Sequence, residues 1–345
     1  MENKVSLTKH TKFSGCGAKL GPNVLQKALC GLSQPIYPNV VANYDGCEDA
    51  GLYAITPEKL LVQTVDFFPP IVDDPFMFGR IAAANALSDV YAMGGRPITA
   101  LALVCYPVKE LGLETLRAMM DGGLSALTEA GCALVGGHSI EDSEPKLGYA
   151  VTGETATDKF WRNNGLKDNC KIILTKSIGT GLINMAFRGD CVSDEALAAS
   201  QKSMTTLNKT ACEILQKYQT KACTDVTGFG LLGHMAEMVT DAACGIKVKA
   251  DAVPLLPDVL EYSSMGLVPE GTFRNRQGRG HAVKDLDKMD PVIRDILFDP
   301  QTSGGLLAAV KEEDAEKIIA EMAGQNIYAR IIGETTRDAG VITIA

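Results

Sequence analysis

The chain has 345 residues, a net charge of −9, and 46% hydrophobic against 22% charged residues, the composition of a globular enzyme of about two domains. The acidic balance excludes nonspecific nucleic-acid binding, and no stretch reaches the length of a membrane span. Ten scattered cysteines, with no Cys-x-x-Cys pair, exclude a zinc ribbon or dithiol redox motif; with a polar segment 1–13 that lacks an apolar signal core, they predict a cytoplasmic protein.

In chain order, the first feature is Ser14-Gly15-Cys16-Gly17-Ala18-Lys19. It sets a thiol three residues before an amine on a backbone loosened by two glycines. A nearby ammonium favours a thiolate and can also touch phosphate; the alternative is an incidental cysteine in a turn. An apolar strand at 60–65 runs into Asp66. A helix at 75–93 starts with Pro75 and stops before Gly94. Strand 98–105, helix 113–130 and strand 132–135 follow, the last entering a turn at Gly136-Gly137-His138-Ser139. A strand at 147–152 closes the first half, and the polar segment 158–169 reads as a linker. The second half opens with a strand at 171–175 and a Gly179-Thr180-Gly181 turn. One long amphipathic helix is expected at 194–218 and another helix at 229–241. Strands at 305–310, 327–333 and 341–344 finish the chain, with a helix between the first two.

Several carboxylates sit where chemistry would place them, each with a bland reading beside it. Asp89 lies one turn from a helix end, where the macrodipole disfavours an anion. It shares a face with Asn85 and Ser88, and that face is either solvated or a cation site. Asp66 is either a turn-forming residue or a ligand at a strand end. Asp45, Glu48 and Asp49 form a loose acidic turn or a hard-oxygen site suited to Mg2+. Asp225 and Thr227 either cap the helix beginning near Phe229 or accompany amides that meet an anion. His138 is a general base or a structurally bonded histidine, and the amides of Gly136 to Ser139 are a candidate anion nest. Asp299-Pro300-Gln301-Thr302-Ser303-Gly304-Gly305 reads as a tight turn, and Arg274 as a candidate anion contact. Several aspartates can face a polyphosphate only if divalent ions intervene. The residues alone therefore suggest a metal-dependent ATP enzyme without naming its acceptor.

Nearly the whole chain resembles the selenophosphate synthetase (selenide, water dikinase) family of the aminoimidazole ribonucleotide synthetase superfamily. The resemblance rests on Gly15-Cys16-Gly17-Ala18-Lys19, Thr64-Val65-Asp66-Phe67-Phe68 and Asn85-Ala86-Leu87-Ser88-Asp89-Val90-Tyr91-Ala92-Met93-Gly94-Gly95. It continues in Gly136-Gly137-His138-Ser139, Thr224-Asp225-Val226-Thr227-Gly228-Phe229-Gly230-Leu231-Leu232-Gly233-His234 and Asp299 to Gly305. It implies an α/β (α+β) fold of two domains, with the N-terminal sheets of two subunits paired into a barrel. The expected division is a flexible catalytic segment 1–20, an ATP-binding and dimerisation domain 21–157, and a C-terminal domain 170–345. The implied reaction converts ATP, selenide and water to selenophosphate, orthophosphate and AMP. Cys16 would be the selenium-handling thiol and Lys19 its partner at the phosphates. Asp49, Asp89 and Asp225 would bind Mg2+, and Gly46, Cys47, Glu48, Asp66 and Asp89 would contact ATP. Gly137, His138 and Ser139 would reach ATP across a homodimer interface. A monovalent cation such as K+ and a selenium-delivery protein are further implied partners. Many members carry a second cysteine where this chain has Ala18, so a disulfide between those positions is excluded here, and some have selenocysteine at the position of Cys16. Two alternatives are a related ATP-dependent kinase or ligase that does not need Cys16, and a noncatalytic selenium- or metal-binding protein.

Overall fold

The computed structural model describes residues 6–32, 35–43 and 47–345. Asp45 and Gly46 of the acidic turn lie outside the described residues.

The first half contains α1 (Pro22–Leu29), β1 (Val40–Ala42), β2 (Gly51–Thr56), β3 (Lys59–Phe68), α2 (Pro75–Ala92), β4 (Arg96–Tyr106), α3 (Val108–Ala130), β5 (Ala133–Glu141) and β6 (Lys146–Ala156). Its strands form one sheet in the order β1-β2-β3-β6-β4-β5. All pairs are antiparallel except β4 with β5. Along β3 the period of two sends Leu60, Val62, Asp66 and Phe68 to the buried side and leaves Val65 and Phe67 exposed. Helix α2 packs on that buried side. It is apolar nearly all round, as a helix enclosed on every face must be. It begins on Pro75, with the Asp74 carboxylate accepting the Met77 N–H at 2.6 Å. Helices α2 and α3 cross so closely that a Cβ on Gly79 would strike the Met119 carbonyl, and one on Gly122 the Phe76 carbonyl.

The second half contains β7 (Cys170–Leu174), α4 (Thr180–Arg188), α5 (Asp194–Thr205), α6 (Lys209–Leu215), β8 (Thr220–Asp225), α7 (Gly230–Val239), β9 (Gly245–Val248), α8 (Val259–Ser264), α9 (Glu270–Arg279), α10 (Pro291–Leu297), β10 (Leu306–Lys311), α11 (Glu312–Gly324), β11 (Arg330–Thr336) and β12 (Ile342–Ile344). These strands form a second sheet, β12-β9-β11-β7-β10-β8. Both its faces are covered, which explains the unbroken apolar runs at 172–174 and 306–310. Ile172, Leu174, Leu307 and Ala309 join a core with α4 and α7. Ile173, Leu306, Ala308 and Val310 join the core shared with α2 and the first sheet. The two halves are therefore fused through one apolar core.

Several expectations need correction. The glycines at 136 and 137 are not in a turn: β5 runs through His138 and Ser139 to Glu141. Gly137 lies against Ala102 of β4 with no room for a Cβ. The helix expected at 194–218 is two helices. Between them Asn208 turns inward and donates to Ser88 Oγ and the Gly304 carbonyl, both at 2.8 Å. Helix α7 has no side-chain cap, so neither Asp225 nor Thr227 serves as one. Segment 158–169 is not a loose tether, because Arg162 and Asn163 dock on the Cys47–Asp49 turn.

Candidate active site at the domain junction

The site is assembled by a match of two repeats. Thr64 and Asp66 are two apart on β3, and Asn85 and Asp89 are four apart on α2. Two strand residues rise about 6.8 Å and four helix residues about 6 Å, so the pairs meet side by side. The Asn85 amide donates to Asp66 Oδ2 at 2.5 Å, and the Thr64 hydroxyl donates to Asp89. Lys19 Nζ reaches Asp66 Oδ2 at 3.0 Å with its side chain 34% exposed. From the second half, Asp225 at the end of β8 comes beside Ser88 on α2. Asp49 accepts from Thr224 Oγ1 at 3.0 Å and from Asn163 Nδ2 at 3.2 Å.

The carboxylates repel one another. Burial, then Asp225 and Asp89, push Asp49 well above the usual carboxylate range. Burial, then Asp225 and Asp66, do the same to Asp89. Burial also raises Asp225 against the pull of His234, Ser88 and Lys19. Buried Oδ2 atoms of both Asp49 and Asp225 have no hydrogen-bond partner. Two unit charges 4 Å apart at an effective dielectric of 20 exchange about 4 kcal/mol, so a cation among these carboxylates would stabilise their ionised forms. Among the described residues no three acidic, histidine or cysteine side chains form a ready cage. The unpartnered carboxylate oxygens are hard donors of the kind Mg2+ takes, one or two carboxylates with water and phosphate oxygens completing its shell. The donor set fits that ion.

The Gly-rich segment expected to be flexible is packed between the halves. Gly15 N–H donates to the Pro69 carbonyl at 3.0 Å, and Arg274 holds the Gly17 carbonyl at 2.9 Å. Gly15 has φ +51°, and a Cβ there would strike Ile71 and Thr302. Cys16 is 1% exposed. Its sulfur lies 3.2 Å from Asn85 Oδ1, and its N–H donates to Thr302 Oγ1 at 3.1 Å. Burial pushes the thiol up to about 12, outweighing the opposing pull of Lys19. The expected activation by Lys19 is thus present but loses to desolvation in this geometry. Burial alone would lower Lys19, yet Asp66, Cys16 and Asp89 hold it well above its ordinary value.

The structure thus brings together Cys16, Lys19, Asp49, Asp66, Asp89 and Asp225. It does not bring Gly137, His138 and Ser139 to them: β5 is separated from β3 by β6 and β4, about 14 Å at the usual strand spacing. The Glu48 carboxylate is engaged by Arg162 at 3.0 Å and the Asn163 N–H at 2.9 Å. Cys47 is an exposed residue with φ +53° in the same turn. Arg274 serves the Cys16 segment through its bond to Gly17, and the Thr227 N–H, at 3.1 Å from His234 Nε2, is not free for an anion. Sequence reasoning missed Asn163, Thr302 and Asn208 as parts of the site. Asn163 and Asn208 sit in polar stretches, and only tertiary contact reveals their partners.

Residues 47–155 match the model for the N-terminal domain of AIR synthase related proteins, and residues 167–345 match the C-terminal domain model. Among solved structures, thiamine-monophosphate kinase from Aquifex aeolicus shares the fold at TM-score 0.65 and 18% identity, covering 93% of this chain and 94% of that one. The hydrogenase maturation protein HypE from E. coli shares it at TM-score 0.60 and 20% identity, covering 83% and 82%. The curated selenide, water dikinase of Pelobacter propionicus is 45% identical over 98% of this chain and 97% of its own length. The one from Citrifermentans bemidjiense is 43% identical over 99% and 98%, and one from Clostridium botulinum is 39% identical over 97% and 96%. The chain belongs to the selenide, water dikinase family, on the two-domain fold of the AIR synthase related proteins.

Proposed function

We propose that this protein makes selenophosphate, converting ATP, selenide and water to selenophosphate, orthophosphate and AMP. The observation that carries the reading is a buried thiol, Cys16, linked through Asn85 to the Lys19–Asp66 pair beside carboxylates whose buried oxygens have no hydrogen-bond partner. Asp49, Asp89 and Asp225 would hold Mg2+, which when bound offsets the charge of the phosphates. Phosphate oxygens compete with Asp66 for Lys19, whose ammonium stays charged and partly exposed. Cys16 handles the selenium. The segment that carries it must shift for the sulfur to meet selenide, because the resting sulfur is enclosed.

Nucleotide contacts fall to Asp66, Asp89 and the turn Gly46-Cys47-Glu48, with K+ as an accessory cation. The active unit is a homodimer. The face of the first sheet opposite α2 bears exposed Tyr53, Val65, Phe67 and Leu101. His138 pairs in register with Leu103 beside Leu101, on that uncovered face, where a second copy would receive it together with Gly137 and Ser139. Among the described residues no helix is long and apolar enough to cross a membrane. All ten cysteines are free, which accords with a reducing cytoplasm and delivery of selenium by a partner protein.

The test is the product. Selenide-dependent formation of AMP with Mg2+ is expected from the full chain; ADP as final product would favour a small-molecule kinase of the same fold. Cys16→Ser should abolish that turnover and leave nucleotide binding in place. Asn at position 49, 89 or 225 should cut turnover at limiting Mg2+ at least about tenfold while leaving the Tm unchanged or raised, since it removes buried repulsion. Near-normal rates in all three Asn variants would sink the metal assignment.

A further inference from the structure

The segment Asp299 to Gly305 reads as a turn, yet Asp299, Gln301, Thr302 and Ser303 are all buried to 2% exposure or less. It is pinned on both sides of Thr302. Upstream, Asp299 Oδ2 accepts the Gly181 N–H at 3.0 Å and the Gln301 amide at 2.8 Å. Gln301 Oε1 accepts the N–H groups of Gly179 and Thr180 at 2.9 and 3.0 Å. The Thr302 N–H itself donates to Thr180 Oγ1 at 3.0 Å. Downstream, Ser303 is held at φ +49°. Its N–H donates to Asn85 Oδ1 at 2.9 Å, and its carbonyl accepts from the buried Lys176 ammonium at 2.8 Å. Few loop residues are held from so many directions, and the residue at the centre points at Cys16.

Thr302 Oγ1 accepts the Cys16 N–H at 3.1 Å. The same hydroxyl lies beside the Cys16 thiol and favours its ionised form against the pull of burial. The other neighbour of the sulfur is Asn85 Oδ1 at 3.2 Å. Asn85 has its amide nitrogen on Asp66 and its oxygen on the Ser303 N–H, which fixes that oxygen as acceptor only. Asn85 therefore suits the S–H form and repels a thiolate. Thr302 has a rotatable O–H and suits the thiolate.

We propose that Thr302 is the positioning residue of Cys16: its hydroxyl fixes the Cys16 main chain as an acceptor and turns its proton onto the sulfur when the S–H ionises to solvent. This inference rests on the reading of Cys16 as the reactive thiol. On ionisation the sulfur exchanges its Asn85 contact for Thr302. Asn85 Oδ1 keeps its Ser303 partner, so no buried polar atom is stranded. Gly15 is required beside it, because any side chain there would displace the hydroxyl.

The experiment uses the full chain without ATP or selenide. The rate of Cys16 alkylation by iodoacetamide is followed against pH by peptide mass spectrometry in wild type, Thr302→Val and Thr302→Ser. Valine keeps the shape and removes the O–H; serine restores it. Thr302→Val should slow Cys16 about tenfold or more at a given pH and move its profile to higher pH, the size expected for a hydrogen bond to a charged group. Exposed Cys30 and Cys191 should react as before, and Thr302→Ser should stay within about threefold of wild type. If valine prevents folding, Thr302→Ala replaces it in the same comparison. An unshifted profile overturns the proposal, including one in which a loosened segment reacts faster, and so does a serine variant that behaves like valine. Because no substrate is present, failure of the selenophosphate reading would show in product assays and leave this readout intact.

Discussion

Asp299 is fully buried, and only one of its carboxylate oxygens has hydrogen-bond partners. Burial pushes it up to about 7 against the pull of Gln301 and the main chain at Leu182 and Gly181. An unfolded aspartate ionises near 3.8, so between these pH values the folded form keeps a proton that the unfolded form has lost. Its stabilising contribution is complete below about pH 4 and is lost as the pH rises through about 7. Asp299→Asn should abolish this slope, so the Tm advantage of wild type over the variant shrinks from about pH 4 to pH 7. Parallel Tm curves for the two proteins would refute it. The residue scale is also where the sequence is most and least informative. Asp89 is legible because a carboxylate near a helix C-terminus violates a local rule. Asp299 is not, because Asp-Pro followed by polar residues and two glycines is also what an exposed turn looks like. The same holds for Thr302, whose bond to Cys16 spans 286 residues of chain.

Elements meet here through glycine as much as through apolar side chains. At the crossing of α2 and α3, Gly122 abuts the Phe76 main chain and Gly79 abuts Met119. A methyl group at 122 meets a carbonyl of a buried helix rather than a pliable side chain. Gly122→Ala should therefore cost about 3 kcal/mol or more, the upper end for overpacking, and lower the Tm by roughly 5–10 °C. An unchanged Tm would show that the helices can part freely. Because α2 also carries Asn85, Ser88 and Asp89, the same variant should lose metal-dependent turnover beyond its loss of folded protein. Helix α2 was readable almost to the residue, since Pro75 and Gly94 mark its ends. The break near Asn208 was not, since the periodicity of α5 continues into α6 and the cause of the break is a bond to Ser88 across the junction. Strand β5 was cut short for a related reason. Paired glycines signal a turn in isolation, but here they let one strand lie close against its neighbour.

At the scale of the whole molecule, two open sheets and one apolar core shared between the halves leave one face of the first sheet without helices among the described residues. Val65, Ala150 and Leu101 form a cross-strand row on it, flanked by exposed Phe67 and Tyr53. Burial of such a face by a second copy is the simplest way to remove it from water. Phe67→Glu should shift sedimentation toward monomer and reduce turnover, with both recovering at higher protein concentration. A dimer of wild-type strength in that variant would rule this face out as the interface. The segment around Cys16 ties the two halves together from the opposite direction, with Lys19 and Cys16 on the first and Arg188, Arg274 and Thr302 holding it from the second. That enclosure has a chemical consequence for the life of the protein between turnovers. Thiolates attack peroxide and disulfides, and a sulfur kept as S–H and 1% exposed offers neither the charge nor the access that this attack needs. If Cys16 is the reactive thiol proposed above, the closed segment keeps it from sulfenic-acid damage, and that exposure is confined to any interval in which the segment opens.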